Sequence, residues 1–474
     1  MDPRLCAQRL LVGSWLAVAP LAGQAQAPAA PTVPVVIRNV NVVDVRAGQV
    51  ISGQLVVIRG ECIDAVGRRA PAGGAVRVID GRGKYLIPGL CDAHSHALAS
   101  AQQASLALPQ YLLSGVTSVR DVSSTRPYAE LAATAQAVET GAQPGPHLVL
   151  SGANVDGMAG AVAGARLAQT AAQAREQAVQ LAAEGWASIS AQALLPAPAY
   201  AGLAAGAAER RVPLTGHVPE AVTLAEALQA GQRCLEHLDK LLLACSPREA
   251  ELVAERAALL QAGRAGGGLG ERRPVERLQQ RRAQQQAAVD AAFSPGRCAL
   301  LAEELVRRGS FVVPLLGADA AGAVPAGPLS CARWHGAADS TTRALHRELV
   351  AMLHHEGVRL LAGSEASSDA PAYGRGLLEE LERLVAAGLP PADALLAATL
   401  TPAALLGRQT QQGEVAPNQQ ADLVLLDANP LDDIRNLRRV RTVIVRGRVY
   451  DRAALDALAA EAAQPVPQAA VKGR

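Results

Sequence analysis

Aromatic residues are scarce in this sequence of 474 residues and make up 2% of it. Only two Trp and two Phe remain after residue 27, too few for a platform on which successive bases or sugars stack. An excess of one charge is also absent, since 45 basic side chains are balanced by 43 acidic ones. The chain therefore has no global field that would attract nucleic acid or a membrane surface. These absences favour a small polar molecule as the partner and argue against nucleic acid.

Long apolar runs are absent beyond the N-terminus, where no stretch offers the roughly 20 uncharged residues of a membrane-spanning helix. The early run LLVGSWLAVAPLAG follows Arg4 and Arg9 and precedes the small residues of AQA. A basic start, an apolar segment and a small-x-small site are typical of an export signal. We expect residues 1–27 to be a signal peptide cleaved after Ala27, and the protein to be periplasmic or extracellular without stable membrane insertion.

Cysteines form no CxxC pair, which argues against a zinc ribbon. Six remain once Cys6 is removed with the signal peptide, and an oxidising compartment permits them to pair. We predict a disulfide between Cys245 and Cys298, because these two flank a long charged insert.

Strand-like and helix-like segments alternate between residues 87 and 407. Eight short apolar runs end in polar or small residues, and several of the helical stretches between them are closed by Gly. The predicted fold is therefore α/β, with a parallel (β/α)8 TIM barrel over 87–407. Short β-branched runs separated by Gly and Asn turns occupy 28–86 and return over 408–460. We predict that these two ends form one small β-sandwich domain.

Residues 246–292 interrupt the alternation with a glycine-rich stretch followed by an Arg- and Gln-rich one. This composition predicts a flexible hinge leading into a solvated helix. Contact of the arginines in 272–282 with nucleic acid is an alternative, but basic runs are usually solvated surfaces and the export signal disfavours it. The Ala- and Pro-rich tail over 461–474 is predicted to be disordered.

Two histidines follow a strand-like run in LIPGLCDAHSH, residues 86–96. Side chains two apart in a strand share a face, so His94 and His96 can reach one point. His217 in PLTGHV and His237 in CLEHL fall at the ends of two later predicted strands. Because the carboxyl ends of barrel strands meet at one rim, the four imidazoles are predicted to converge there. Imidazoles around an open position make a hydrolytic metal site.

Each of these histidines also has an ordinary interpretation. An HxH pair alone is as typical of a structural contact as of a metal site, and a single His217 or His237 is more often a packing residue. Their joint placement at strand ends favours the metal site. The other five histidines fall in helices or loops and are predicted to be surface or packing residues: His147, His335, His346, His354 and His355.

Several phrases in this order resemble successive blocks of the amidohydrolase superfamily, and the imidazolonepropionase-like and prolidase-like members in particular. They are LIPGLCDAHSH, GVTSVRDV, GHVPEAVTLAEALQAGQRCLEHLD, GVRLLAGSEAS, LLEELERLVAAGLPPADALLAATLTPAALLG and GEVAPNQQADLVLLDANPLDDI. The resemblance covers residues 34–452. It implies a metal-centred barrel flanked by a β-sandwich, which hydrolyses C–N bonds of amides or cyclic amides.

The resemblance also implies the metal-site residues, and the chain departs from the family at two of them. Members with two metals carry a carboxylated lysine after the fourth strand, where EGWASIS places Ser190 here. Serine has no amine to carboxylate, so one zinc ion is expected rather than two. The family aspartate after the eighth strand is replaced by Glu365 in LLAGSEAS. Its extra carbon–carbon bond of about 1.5 Å moves the carboxylate, and Asp369 is a possible substitute if the loop folds back.

The implied ligands are His94, His96, His217, His237 and Glu365. Glu365 would also act as the general acid and base, with His237 helping to polarise the substrate carbonyl group. Asp92, beside the HxH pair, is expected to make a structural contact or to support a ligand.

The resemblance implies a small amide or dipeptide as substrate, such as an Xaa-Pro dipeptide or an N-acyl amino acid. A substrate carboxylate needs a cation, and Arg120 is the candidate, although a structural salt bridge to Asp121 or elsewhere fits Arg120 as well. Tyr373 is a second candidate for binding substrate, and Tyr111 and Arg375 are further loop candidates. A homo-oligomer is possible. The alternative function is a catalytically degenerate protein with a binding or scaffold role, because Ser190 and Glu365 replace the usual residues.

Overall fold

A computed structural model describes residues 33–69, 76–122, 124, 126–158, 164–266, 273–320, 338–367 and 371–462. The predicted signal peptide lies outside these residues, as do His335, Asp369 and residues 463–474 of the predicted tail. Within the described residues, no helix combines the length and the apolar character needed to cross a membrane.

The bounds of the strands and helices follow, in chain order. The strands are β1 (Val35–Asp44), β2 (Gln49–Arg59), β3 (Cys62–Gly67), β4 (Arg77–Asp80), β5 (Tyr85–Pro88), β6 (Leu90–Ser95), β7 (Val116–Val122), β8 (His147–Ser151), β9 (Asn154–Asp156), β10 (Arg166–Leu167), β11 (Ile189–Ala191), β12 (Leu214–Gly216), β13 (Cys234–Glu236), β14 (Phe311–Val313), β15 (Arg359–Leu360), β16 (Leu423–Leu426), β17 (Val440–Val445) and β18 (Arg448–Tyr450). The helices are α1 (Ala101–Leu113), α2 (Tyr128–Thr140), α3 (Ala171–Glu184), α4 (Ala197–Arg210), α5 (Leu224–Gln229), α6 (Asp239–Ala244), α7 (Glu249–Gly266), α8 (Arg273–Ala291), α9 (Pro295–Arg308), α10 (Leu316–Ala320), α11 (Ser340–His355), α12 (Arg375–Ala386), α13 (Pro391–Ala397), α14 (Leu400–Leu405) and α15 (Arg452–Ala462), with a 3₁₀ helix at Ile434–Arg438.

Both ends of the chain contribute to one sheet, whose spatial order is β18-β17-β16-β5-β1-β2-β3 with β4 beside β1. The two ends join where β5 and β16 pair antiparallel, with Leu86 opposite Leu425. The strands β4 and β5 lie parallel to successive halves of β1. The two chain ends therefore meet in one sheet, as predicted. Within the described residues, their strands form this single sheet and not a pair of facing sheets.

The eight strand segments predicted for the middle of the chain all form strands, in the predicted order: β6, β7, β8, β11, β12, β13, β14 and β15. They belong to three parallel sheets, with orders β6-β7-β8, β10-β9-β11-β12 and β13-β14-β15. Backbone hydrogen bonds connect neighbouring sheets, as from Arg233 N to Leu214 O at 2.8 Å and from Ala93 N to Ala362 O at 2.9 Å. The mixed α/β fold is thus confirmed.

Helix α12 buries an apolar stripe along one side. In α12, Leu377, Leu381 and Leu384 recur at the helical period and are fully buried. Left-handed glycines end α3 and α9 at Gly185 and Gly309, as the sequence predicts.

The insert at 246–292 differs from the prediction. It forms α7 and α8, which pack on each other and on the rim of the strands, while its glycine-rich centre at 267–272 lies outside the described residues. The expectation of a solvated helix is wrong for α8, because its positions at heptad spacing are turned inward. These are Val275, Leu278, Arg282, Gln285 and Val289, of which Arg282 stays partly exposed and the others are buried.

Apolar contacts anchor this helical hairpin, α7 with α8, over the loops that follow β9 and β11. Leu260 and Leu278 form one buried cluster with Met158, Ala193 and Leu194. The carboxyl ends of the strands lie at this rim, so the hairpin covers part of the region where barrel chemistry is expected.

The predicted disulfide between Cys245 and Cys298 is confirmed, with the two Cα atoms 4.9 Å apart. It fastens the end of α6 to α9 and closes the stretch of chain that contains the hairpin. Residues 461 and 462, assigned to the predicted tail, are the last residues of α15.

Candidate metal centre

The structure brings the four predicted histidines together at strand ends. His94 lies in β6, and His96 is the first residue after that strand. His217 and His237 are the first residues after β12 and β13. The ring centroid of His94 lies 5.2 Å from that of His96 and 5.7 Å from that of His237. The rings of His217 and His237 stack at 4.9 Å. The four imidazoles therefore form one cluster.

Glu365 reaches into this cluster despite the added carbon in its side chain. Its Oε2 lies 2.9 Å from His94 Nε2, and its Oε1 lies 3.2 Å from His96 Nε2. The distance from Oε2 to His237 Nε2 is 3.9 Å. The side chain is 13% exposed, so the carboxylate is largely withdrawn from water.

Two site residues occupy a backbone region that L-residues seldom adopt. His237 has φ 66° and Glu365 has φ 55°. Such conformations cost about 1 kcal/mol or more and concentrate at functional sites. Gly363 leaves room for the neighbouring strand, since a Cβ there would lie 2.7 Å from His94 Cβ. The local backbone is thus shaped to place these side chains.

The donor atoms fit a transition metal. One ligand atom each from His94, His96 and Glu365 lies within 4.8 Å of the other two. His96 Nδ1 contacts Val122 O at 2.9 Å, which directs Nε2 into the cluster. Glu365 Oε2 is buried and makes no hydrogen bond of good geometry within the described residues. Two imidazoles and a carboxylate are the donors that zinc takes in hydrolytic sites.

Comparisons with known proteins identify the family of this chain. A sequence model described as the amidohydrolase family matches residues 85–450. The chain belongs to the amidohydrolase family. A match of 43% identity to an adenine deaminase of Mesorhizobium japonicum extends over 63 residues, 13% of this chain and 10% of the deaminase. A second, to an adenine deaminase of a Ruegeria species, reaches 39% over 85 residues and covers 14% of that protein. The chain therefore spans a small part of these curated relatives.

Solved structures share the fold of this amidohydrolase over most of its length. A prolidase complexed with N-methylphosphonate-L-proline has a TM-score of 0.65 and 23% identity, covering 88% of this chain and all of that one. A Xaa-Pro dipeptidase with methionine in its active site has a TM-score of 0.64 and 17% identity, with the same coverage. Molinate hydrolase has a TM-score of 0.66 and 16% identity, covering 94% and 97% of the two chains.

The charges in the cluster stabilise one another. Burial opposes ionisation of Glu365, but the charges and close contacts of His94 and His96 outweigh it and hold its pKa well below the usual range. Burial likewise disfavours the charged form of His96, and the contact with Glu365 outweighs it, raising the pKa of His96 to about 9. Both shifts favour the charged forms of His96 and Glu365.

Asp92 supports the site from beneath. Its carboxylate accepts hydrogen bonds from Ser364 N at 3.0 Å and from Ser364 Oγ at 2.6 Å. Burial is the main reason that the pKa of Asp92 rises to about 6. Because Ser364 precedes Glu365, Asp92 ties the strand of the HxH pair to the segment that carries the carboxylate, as the sequence suggested.

Ser190 lies at the end of β11 among amide side chains rather than beside a second acid. Its Oγ accepts a hydrogen bond from Gln192 Nε2 at 3.1 Å, and the same nitrogen donates to Asn154 Oδ1 at 2.6 Å. All three residues are buried. The side chains of Ser190, Gln192 and Asn154 include no carboxylate or amine that could bridge two ions.

Arg120 is buried and its guanidinium contacts protein groups. It donates to Glu236 Oε1 at 2.9 Å, Ser151 Oγ at 2.8 Å and Thr215 Oγ1 at 2.9 Å. These contacts favour the structural alternative over a substrate contact, and the carboxylate in the pair is Glu236 rather than Asp121. With its donors directed to these groups, Arg120 offers little to a substrate carboxylate.

Tyr373, the other substrate candidate, is also buried. Gln103 Nε2 donates to Tyr373 Oη at 2.6 Å and to His96 O, also at 2.6 Å. Tyr111 packs against Tyr373 and contacts Ser95 Oγ at 2.5 Å. The two tyrosines thus support the HxH segment from behind, while Arg375 is exposed and paired with Glu379.

Glu236 is a site residue that the sequence reasoning missed. It ends β13, is buried, and its Oε2 lies 3.4 Å from His94 Nδ1. Burial raises its pKa, but the charges of Arg120, His94 and His217 outweigh burial and lower it. The signal was the acidic residue directly before His237 in CLEHL.

The remaining described histidines do not join the centre. His147 contacts Glu139 and Arg446 at the opposite ends of the strands, and His354 pairs with Asp393 at 2.9 Å. His346 is buried 4.0 Å from Asp239, and His355 is exposed.

Proposed function

We propose that this amidohydrolase is an exported, metal-dependent enzyme that hydrolyses C–N bonds of small amides. One observation carries the proposal. The ligand atoms of His94, His96 and Glu365 all lie within 4.8 Å of one another. The proposed architecture is a (β/α)8 barrel with a β-sandwich at the chain ends. Hydrogen bonds between the eighth and first strand segments, such as Glu365 N to His94 O at 3.0 Å, support barrel closure.

The proposed cofactor is one zinc ion, held by His94, His96 and Glu365 with His217 or His237 close by. When bound, the metal supplies Lewis acidity, which acidifies water and polarises an amide carbonyl group. Glu365 is the group placed to accept a proton from the attacking water and to return it to the leaving nitrogen. His237, 3.9 Å from that carboxylate, is placed to donate a hydrogen bond to the carbonyl oxygen.

The proposed substrates are Xaa-Pro dipeptides, N-acyl amino acids or cyclic amides. The shared fold with a prolidase and a Xaa-Pro dipeptidase motivates the first class. The hairpin over the rim supports a small substrate, because its contacts with the loops after β9 and β11 reduce the open space. The proposed partner is therefore a small molecule.

A turnover screen tests the function. The zinc-loaded mature protein is assayed against Xaa-Pro dipeptides, N-acyl amino acids and cyclic amides, and again after removal of metal by a chelator. We expect hydrolysis that is lost with the metal and restored by zinc. Turnover that persists in the metal-free protein would contradict the proposal.

The alternative is a degenerate amidohydrolase that binds without hydrolysing, because Ser190 and Glu365 replace the usual lysine and aspartate. The observation against it is that Glu365 reaches both histidines of the HxH pair at 2.9 and 3.2 Å. A protein that binds zinc but hydrolyses no member of the three classes would favour this alternative.

A further inference from the structure

His94 lies between two carboxylates. Its Nε2 faces Glu365 Oε2 at 2.9 Å, and its Nδ1 faces Glu236 Oε2 at 3.4 Å. Nδ1 is buried and makes no hydrogen bond of good geometry within the described residues. The two ring nitrogens therefore point at two acids on opposite sides of the imidazole.

The position of Glu236 is fixed by contacts in the interior. Its other oxygen, Oε1, accepts from Arg120 Nη1 at 2.9 Å. Arg120 is in turn held by Ser151 and Thr215, which belong to β8 and β12. The Glu236 and Arg120 side chains are 2% and 3% exposed, so neither can rotate into solvent.

A histidine that binds metal through Nε2 must carry its proton on Nδ1 and needs an acceptor there. For His96 that acceptor is Val122 O at 2.9 Å. Carboxylates beyond the ligands serve the same purpose in metal sites, where they fix the tautomer and ring orientation and increase the basicity of the ligand. Glu236 Oε2 is the group in that position for His94.

We propose that Glu236, held by Arg120, is a positioning residue that fixes the tautomer and orientation of His94 and strengthens metal binding. The inference rests on the proposed function only in requiring that the metal binds His94 Nε2. It extends the centre to a relay of three side chains, Arg120, Glu236 and His94, contributed by β7, β13 and β6.

A purely structural ion pair is the competing explanation, and the chain offers a matched control. Glu220 is as buried as Glu236 and pairs with Arg256 Nη1 at 2.8 Å and Arg282 Nε at 3.1 Å. Both of its oxygens thus face arginines of the hairpin rather than a proposed ligand. Replacing Glu220 by Gln measures the general effect of losing a buried, arginine-paired carboxylate.

The experiment measures the Kd of the metal-free, full-length mature protein for Zn²⁺ by competition with a chromogenic chelator. The variants are Glu236→Gln, Glu236→Asp and Glu220→Gln. We expect Glu236→Gln to weaken zinc binding by about 10- to 100-fold. Glu236→Asp keeps the charge for Arg120 but withdraws the carboxylate from His94, and should also weaken it. Glu220→Gln should leave the Kd unchanged.

Two additional measurements separate binding from folding. The double variant Glu236→Gln/Arg120→Met removes both buried charges, so it avoids leaving Arg120 uncompensated, and should show the same weakened Kd. In the Co²⁺-substituted protein, the visible absorption bands should shift in both Glu236 variants and stay unchanged in Glu220→Gln.

The outcomes are distinguishable. Wild-type zinc affinity in both Glu236 variants overturns the inference and leaves the proposed function standing. Equal weakening in all three single variants also overturns it, because the effect would then be one of general stability. Failure of the wild-type protein to bind zinc removes the proposed function itself.

Discussion

Two parts of the same rim use buried charges differently. Around His94, His96 and Glu365, donor atoms face one another at 2.9 to 3.2 Å, and Glu365 Oε2 lacks a hydrogen bond of good geometry within the described residues. Around Glu220, the carboxylate is neutralised by Arg256 and Arg282 of the hairpin. The first arrangement leaves donor atoms available to a ligand. The second attaches the hairpin to the segment that carries Glu220, and we call it the docking contact. Buried charge at this rim therefore serves ligand binding in the metal centre and attachment of the hairpin in the docking contact.

Backbone conformation follows the same division. The left-handed residues His237 and Glu365 belong to the metal centre, whereas Glu220, Arg256 and Arg282 are not among the residues with positive φ. Five other non-glycine residues among those described also have positive φ, so this conformation separates the centre from the contact around Glu220 but is not confined to the centre. Changes in the centre should affect metal binding and turnover with little effect on the free energy of unfolding. Changes in the docking contact should lower the free energy of unfolding with little effect on metal binding and turnover.

The largest effect is expected from Glu365→Gln, which keeps the shape of the side chain and removes its charge. Loss of a ligand and of the group that transfers the proton should lower kcat/KM by on the order of a thousandfold. Glu220→Gln, the matched change on the docking side, should leave kcat/KM close to wild type. Steady-state kinetics at saturating zinc measure kcat/KM for the two variants. Comparable losses in both would show that the metal centre and the docking contact do not differ in function.

The second-largest effect is the loss of stability expected for Glu220→Gln. Leaving two arginines partly uncompensated at a buried contact should lower the free energy of unfolding by about 3 kcal/mol. Burial raises the pKa of Glu220, but Arg282, Arg256 and Lys240 outweigh it and lower the pKa to about 2, against 4.5 for an ordinary glutamate. The stabilisation is therefore complete above pH 4.5 and declines as the pH falls towards 2.

Urea unfolding of the wild type and Glu220→Gln checks this pH dependence. The difference in unfolding free energy should be smaller at about pH 3.5 than at about pH 7. A difference that grows on acidification would show that the carboxylate is not ionised in its contact with the arginines.

A smaller effect on the binding side is expected from Glu365→Asp. The shorter side chain withdraws the carboxylate by about 1.5 Å from the histidines that it now reaches. Misplacement by about 1 Å can cost on the order of a hundredfold in rate, so kcat should fall by that order. An increase in kcat would instead show that the family aspartate suits this centre better and that the contacts of Glu365 are unproductive.

The smallest effect is expected from Gln285→Ala in the hairpin. Gln285 Oε1 accepts from Arg256 Nε at 2.8 Å, and Nε2 donates to Glu255 Oε2 at 2.7 Å. Removing these bonds should lower the free energy of unfolding by about 1 kcal/mol and leave the Kd for zinc unchanged. A weakened zinc affinity would indicate that the docking contact also shapes the metal centre.

Local patterns were enough to predict the strand segments, because each is a short apolar run that stops at a polar residue. The HxH alternation likewise placed His94 and His96 on one side of β6. The convergence of His217 and His237 followed from the rule that strand ends share a rim. The disulfide between Cys245 and Cys298 was predicted from their places on either side of the insert.

Long-range polar pairing was beyond such reasoning. Arg120 and Glu236 are 116 residues apart, and no local pattern identifies them as partners. The inward stripe of α8 was hidden because Arg282 and Gln285 occupy positions where an apolar residue is expected. Their inward position depends on Glu220 and Arg256, which come from other segments.

The most direct test of the central claim is a zinc titration of the metal-free mature protein beside the double variant His94→Ala/His96→Ala. We expect one tightly bound ion per wild-type chain and no such ion in the variant, with both proteins folded by circular dichroism. Wild-type protein that binds no zinc, or a variant that binds it equally well, would show that His94 and His96 do not form a metal centre.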